Sequence, residues 1–291
     1  MTDKVLEKVE LYPHIVVYKN LFKNITDTYK VLKESTDNND DRLFSKWSKW
    51  SYFGEYINPL IEDFPSRVTI DSLSLVETKT EKEQQQKDLL IELLTNFYIA
   101  TEDYIKNHDV DFDKTAMVKD SQGNDIPLWE WTGPSIAKYK DDIEDIVAMT
   151  YHSDYIRQPI VSPGYKFAIT ALAYFNDDYE GGEIDFVIGN KLYKYKPEAG
   201  DYLVFPSGHP EILTEDGIVY LHGVMPATGP NKYLSRMYWM KYSQGDQEWF
   251  DKEKEFGQQT WLEMQEDIMQ KFRDEHPNRS ERVGGERIKW T

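Results

Sequence analysis

Two textures of hydrophobic and polar positions divide the chain. Over 81–107 the apolar residues recur at helical spacing, with Leu90, Leu93, Leu94, Phe97 and Tyr104 on one stripe behind an acidic, glutamine-rich first turn. That pattern predicts a scaffold helix packed on a sheet. From about residue 112 the spacing shortens. β-rich runs at 166–175, 183–188, 191–195, 201–205, 218–224 and 233–242 are punctuated by Asn176-Asp177-Asp178, Gly181-Gly182, Gly189-Asn190, Glu198-Ala199-Gly200 and Thr228-Gly229-Pro230-Asn231. Strands this short and regular predict a sandwich or open barrel of antiparallel strands, not a βαβ layout.

The flanks are more mixed. His14 to Tyr18 is a β-branched run that reads as a strand. A helix-like stretch through Tyr29 and Leu32 follows and ends in a polar loop at 35–41. Residues 44–60 are dense in aromatics (Phe44, Trp47, Trp50, Tyr52, Phe53, Tyr56), which predicts an irregular cap buried over a sheet, with a substrate-contacting lid as the alternative. Beyond about residue 246 helical spacing returns with Trp261, Met264, Ile268 and Phe272, before a charged, glycine-containing end that is expected to fray. The organisation expected is therefore an N-terminal strand, cap and scaffold helix over 1–111, a β core over 112–245 and a helical C-terminal extension over 246–291.

Composition narrows the chemistry. A chain of 291 residues with 40% hydrophobic side chains can bury a sizeable core. Its 52 acidic against 34 basic side chains give a formal net charge of -18, a surface that repels phosphate backbones and argues against nucleic acid as a partner. Cysteine is absent, so disulfides, thiolate metal sites and cysteine nucleophiles are excluded, and a metal must be held by His, Asp or Glu. The N-terminus lacks a signal-peptide pattern and no segment is apolar enough to span a bilayer, so the expectation is a cytoplasmic protein without membrane contact.

Among six histidines, His152 stands two before Asp154 in Tyr151-His152-Ser153-Asp154-Tyr155. On an extended segment residues two apart share a face. One imidazole from a neighbouring strand would complete a site of two histidines and a carboxylate, the arrangement that leaves open positions for oxygen chemistry at Fe(II). His222, in the late run 218–224, is the candidate for that third ligand, provided His152 lies in the first strand of a rolled-up sheet whose late strand returns beside it. His209, in the proline-flanked Pro206-Ser207-Gly208-His209-Pro210, is its rival, on a loop that would hold a ligand poorly. His14, His108 and His276 read as structural or solvated. Beyond His222, Lys232, Leu234, Arg236 and Tyr238 alternate onto one strand face. Two cations facing inward would need an anion, and a dicarboxylate cosubstrate would supply one. The alternative puts Lys232 at the solvent rim and pairs Arg236 with a structural acid.

His152-x-Asp154, the run from Tyr174 to Phe186, the run from Lys196 to Phe205, and His222-Gly-Val-Met-Pro-Ala-Thr leading to Lys232-Tyr233 together resemble the Fe(II)- and 2-oxoglutarate-dependent dioxygenases, in their prolyl-4-hydroxylase-like branch. The resemblance covers about 145–242. It implies a double-stranded β-helix core, and an α+β chain once the flanks are counted. It also implies Fe(II) on His152, Asp154 and His222, with 2-oxoglutarate and O2 as cosubstrates and ascorbate as an accessory. Lys232, ten residues after the distal histidine, matches the cation that pairs with the distal carboxylate of 2-oxoglutarate; Arg236 could share or take over that role. Tyr174 matches the tyrosine that contacts the same carboxylate, and Gly181-Gly182 a structural turn. The segment after Asp154 is longer and richer in proline than the pattern, and the lead-in to His152 does not match it. The implied reaction converts 2-oxoglutarate to succinate and CO2 while hydroxylating an unactivated C–H of a prolyl or other residue in a peptide, or of a free amino acid or other small molecule. A carboxylate at position 154 favours hydroxylation over halogenation. The competing reading is a cupin-like metal-binding module or isomerase that does not use 2-oxoglutarate, in which Lys232 and Arg236 would be dispensable. A third is a barrel kept for partner binding after activity was lost, for which nothing would demand all three ligands.

Overall fold

In a computed structural model, residues 6–34, 43–51, 54–59, 68–108, 110–140, 144–152, 154, 164–188, 191–207, 220–242, 266–267, 269–283 and 286–289 are described. The chain opens with a hairpin, β1 (Lys8–Tyr12) and β2 (Ile15–Tyr18), followed by α1 (Ile25–Glu34). A second hairpin, β3 (Ser48–Ser51) and β4 (Gly54–Ile57), precedes α2 (Ile70–Leu75) and the long α3 (Glu81–Asn107). Thr80 caps α3, its hydroxyl accepting from the Glu83 backbone amide. Short strands β5 (Met117–Lys119), β6 (Asp125–Pro127) and β7 (Trp129–Trp131) then lead into the barrel.

The barrel strands are β8 (Ser135–Tyr139), β9 (Met149–His152), β10 (Tyr165–Tyr174), β12 (Ile184–Ile188), β13 (Lys191–Tyr195), β14 (Tyr202–Pro206), β15 (Leu221–Val224) and β17 (Lys232–Tyr242), with the two-residue pair β11 (Glu180–Gly181) and β16 (Ala227–Thr228) at one edge. They divide between two antiparallel sheets. The larger contains the order β14-β10-β17-β8 and the smaller β13-β12-β15-β9. Following the chain, consecutive strands pass back and forth between the sheets except at the β12–β13 hairpin, which stays in the smaller one. The last two insert between earlier strands, β15 between β12 and β9 and β17 between β10 and β8. This is the double-stranded β-helix.

Each face of the larger sheet has its own core. Ile169, Ala171, Ala173, Val204, Met237 and Trp239 pack outward against the buried stripe of α3 that includes Leu90, Leu93, Leu94, Phe97 and Tyr104. Leu172, Tyr174, Leu203, Phe205 and Leu234 point inward to meet Met149, Ile184, Phe186 and Val224 of the smaller sheet. The period-2 alternation of β10 and β17 thus separates a scaffold face from a site face.

Several expectations change here. The 44–60 segment is not an irregular cap: β3 and β4 form a hairpin that extends the larger sheet beyond β8. Its side chains at Trp50, Tyr52 and Phe53 lie outside the described residues, while Trp47 packs edge-on to Tyr233. β1 and β2 likewise join the larger sheet beside β14. β9 is not the first β-element after residue 112, because β5 to β8 precede it; they are too short to show alternation. Residues 269–275 are helical, with Met269 and Phe272 buried. Trp261, Met264 and Ile268 lie outside the described residues. The expected frayed end instead forms a hairpin, β18 (Ser280–Val283) and β19 (Glu286–Lys289). The buried Asp145 ties it down, accepting from Ser280 Oγ at 2.9 Å and Arg287 Nε at 3.1 Å.

Candidate active site

β15 lies between β12 and β9, and its register sets His222 directly opposite His152. The imidazole centroids are 4.4 Å apart. Asp154 closes the group: its Oδ1 is 3.5 Å from His152 Nε2 and its Oδ2 is 3.6 Å from His222 Nε2. Donor atoms of all three lie within 4.8 Å of one another, and all three residues are buried. The route differs from the one expected. β9 ends at His152, so Asp154 is reached past the strand end and not by alternation along it. Cross-strand pairing of the histidines brings the group together. Close approach of β15 to β9 also requires Gly223, where a Cβ would fall 3.1 Å from the Met149 carbonyl oxygen and 3.2 Å from the Tyr151 ring.

His222 is wedged by Phe205 at 4.9 Å and Phe186 at 6.0 Å between ring centroids, with its Nδ1 toward the Tyr220 carbonyl and Nε2 toward Asp154. From the larger sheet, Thr170 Oγ1 donates to Asp154 Oδ2 at 2.8 Å. Burial alone would raise the Asp154 carboxyl. The charge of His222, the hydrogen bond and charge of His152 and the Thr170 hydroxyl outweigh that and hold it well below the usual carboxylate range. Two imidazole nitrogens and an ionised carboxylate, converging without thiolates, fit a first-row divalent metal such as Fe(II). His209 lies outside the described residues.

Lys232 is fully buried and does not sit at the solvent rim. Its Nζ donates to the Gly182 carbonyl at 2.6 Å and faces the rings of Tyr174 at 5.2 Å, Tyr139 at 5.5 Å and Tyr179 at 5.6 Å. No carboxylate among the described residues makes an ion pair with it. Burial, then the nearby Lys196 charge, lower its pKa to about 7 against a partial offset from Glu183. The Tyr174 hydroxyl beside it is buried without a hydrogen-bond partner among the described residues. Arg236 lies on the same strand face, opposite Leu172 and Ser135, and is partly exposed. On β10, Thr170 at the metal cluster and Tyr174 at Lys232 are about 13 Å apart along the strand. Long side chains and a small dicarboxylate can span that interval.

Sequence reasoning missed Thr170, Tyr139 and Tyr179, and the direct role of the Gly182 carbonyl. Thr170 carried a signal: it is the single hydroxyl in the otherwise apolar run from Phe167 to Ala173.

A double-stranded β-helix with two histidines and an aspartate converging inside it can hold a divalent metal. Residues 136–243, from within β8 to just past β17, match the family model described as the 2OG-Fe(II) oxygenase superfamily. That segment matches the domain of this superfamily, whose members are 2-oxoglutarate-dependent oxygenases. No curated protein matches the chain. Solved structures similar to it include the viral collagen prolyl hydroxylase of Paramecium Bursaria Chlorella virus-1 in complex with 2OG, at 12% identity, covering 78% of this chain and 96% of that one, with a TM-score of 0.44. A prolyl hydroxylase from Trichoplax adhaerens, in complex with a peptide fragment of the hypoxia inducible factor oxygen degradation domain, is 13% identical over 79% of this chain and 84% of that one, with a TM-score of 0.43. The dioxygenase for auxin oxidation 1 of Arabidopsis thaliana is 10% identical over 77% and 82%, with a TM-score of 0.46. At these scores the fold rests on strand order, not on the likeness.

Proposed function

We propose that this protein hydroxylates an unactivated C–H of a prolyl or other residue in a peptide, or of a free amino acid. In this reading it belongs to the prolyl-4-hydroxylase-like branch and acts in the cytoplasm, with ascorbate as an accessory. His152, Asp154 and His222 hold Fe(II). Lys232 and Tyr174 bind the distal carboxylate of 2-oxoglutarate. The observation that carries the reading is the buried Lys232 with no ion-paired carboxylate among the described residues, near a buried Tyr174 hydroxyl that has no hydrogen-bond partner among them. A dicarboxylate would satisfy both at once. The cupin-like alternative leaves that pair of groups without a purpose. No helix among the described residues is long and apolar enough to cross a membrane.

The chain's own residues divide the work. Lys232 and the Tyr174 hydroxyl fix one end of the cosubstrate, and the carbonyl of Gly182 fixes the ammonium in turn. Phe186 and Phe205 pack the wall beside His222 and exclude water from it. Once bound, iron and 2-oxoglutarate supply the oxidising chemistry, with succinate and CO2 as by-products. Asp154 contributes the anionic ligand. Arg236 stands nearer the middle of the same face as a further polar contact.

Incubation with Fe(II), O2 and 2-oxoglutarate should yield succinate, slowly without prime substrate. His152→Ala and His222→Ala should each abolish iron binding and turnover, while His209→Ala should retain both. Turnover surviving in His222→Ala but lost in His209→Ala would overturn the ligand set.

A further inference from the structure

We propose that Thr170 and Ser207 form a hydroxyl relay that sets which oxygen of Asp154 faces the metal, making both of them positioning residues. The proposal rests on Asp154 being a ligand. It is carried by a chain of two buried hydrogen bonds. Thr170 Oγ1 donates to Asp154 Oδ2 at 2.8 Å, and the Thr170 and Ser207 hydroxyl oxygens are 2.6 Å apart. Thr170 is fully buried and Ser207 nearly so.

The direction of the relay follows from valence. An ionised carboxylate only accepts, so Thr170 spends its single hydroxyl hydrogen on Asp154. Its contact with Ser207 must then be one in which Ser207 donates. The polarity Ser207 to Thr170 to Asp154 places a hydroxyl donor on Oδ2 and, among the described residues, none on Oδ1. Oδ1 is the oxygen beside His152 Nε2, 3.5 Å away, so it and that ring nitrogen would turn together toward a metal held by the two histidines. Without the relay both oxygens would be equivalent between two imidazoles at 3.5 and 3.6 Å, and the carboxylate could turn to accept from either ring.

The backbone beneath the relay is stiff. β10 is a central strand, with Thr170 opposite Phe205 of β14 and Tyr238 of β17. Ser207 follows β14 directly and its amide donates to the Ala168 carbonyl at 2.9 Å. Ala168 is the extra residue at the irregularity where Phe167 pairs with Met240 and Ile169 with Trp239. That irregularity brings Phe167 round to stack on Tyr238 at 4.0 Å, on the inner face that Thr170 also occupies. Thr170 and Ser207 are thus held in place by main-chain pairing, which fixes the origin of both hydroxyls beside the carboxylate.

The test is direct metal titration with the full-length protein. Mn(II) affinity and the absorption spectrum of the Co(II)-loaded protein are measured for wild type, Thr170→Val, Thr170→Ser, Ser207→Ala and Asp154→Ala, with thermal unfolding of each metal-free variant as the check on folding. Thr170→Val should weaken Mn(II) binding about 10- to 100-fold and alter the Co(II) spectrum. Thr170→Ser should restore both, and Ser207→Ala should give a smaller shift in the same direction. Wild-type affinity and spectrum in Thr170→Val, with binding lost in Asp154→Ala, would overturn the relay alone. Undiminished binding in Asp154→Ala would overturn the metal-site reading itself. If Thr170→Val does not fold, Ser207→Ala decides: an unchanged spectrum there rejects the relay.

Discussion

Two lysines of the same barrel, Lys19 at its rim and Lys232 in its interior, meet opposite surroundings. Lys19 follows β2 and its ammonium is within 2.9 Å of both the buried Asp201 and Glu198, with the Tyr195 hydroxyl also at 2.9 Å. Burial acts to lower its pKa, but the hydrogen bonds to Asp201, Tyr195 and Glu198 reverse that and leave it raised. Lys232 is more deeply buried, yet it has one carbonyl and three tyrosine rings. A lysine that the fold has already neutralised is architecture. One that the fold has desolvated, with no ion-paired carboxylate among the described residues, fits the proposed role of a binding group, because its cost would be recovered when a ligand arrives.

The largest effect should come from Lys232→Met. Losing the cation should weaken 2-oxoglutarate binding by about 2–5 kcal/mol, read as a steep rise in the concentration needed for succinate formation. The unliganded protein should melt no earlier than wild type, since an uncompensated buried amine has been removed. A lower melting temperature with unchanged 2-oxoglutarate dependence would make Lys232 structural, and the same kinetic defect in Arg236→Met alone would move the anchor to 236.

The mirror experiment is smaller. Lys19→Met should destabilise the fold by roughly 2–3 kcal/mol, because Asp201 stays buried with, among the described residues, the Tyr195 hydroxyl and the Glu198 amide as the remaining partners of its carboxylate. Denaturant unfolding measures it, and 2-oxoglutarate affinity should not follow.

The smallest is a dependence on pH. Empty, Lys232 has its pKa lowered to about 7, among the charges of Lys196 and Glu183 and the rings of Tyr139, Tyr174 and Tyr179. A bound carboxylate selects the charged amine, so above about pH 7 each binding event takes up a proton and affinity falls about tenfold per unit, or 1.4 kcal/mol. Below that pH the amine is already charged and the dependence from this group vanishes. In the empty protein the sign is reversed: between about pH 7 and the ordinary lysine value the unfolded chain holds more protons, so this group's contribution to stability rises with pH. Calorimetry in two buffers of different protonation enthalpy counts the proton, and a count of zero at pH 8 refutes the linkage.

How much of this was readable in the chain varies with the length of each pattern. The helix over 81–107 matches α3 at both ends, because its apolar stripe repeats through many turns and Thr80 marks its start. The long strands β10 and β17 lie within one residue of the runs that predict them. β3 to β8 went unread: three to five residues offer few alternations, and although β3–β4 and β5–β6 are local hairpins, β7 and β8 pair only with strands remote in the chain. His152, Asp154 and His222 were legible as a group from residue type and order, although Asp154 arrives past the end of its strand. The relay through Thr170 and Ser207 was not legible, since nothing local links two hydroxyls 37 positions apart in sequence.

The scaffold face of the larger sheet has a practical corollary for anyone cutting this gene down. A fragment trimmed to 136–243 would strip α3 from Ile169, Ala171 and Trp239, and would take β2 from the edge of β14. Such an excised barrel would present a greasy, unpaired flank to solvent and clump before its chemistry could be assayed. Useful boundaries for crystallisation or directed evolution therefore begin before β1.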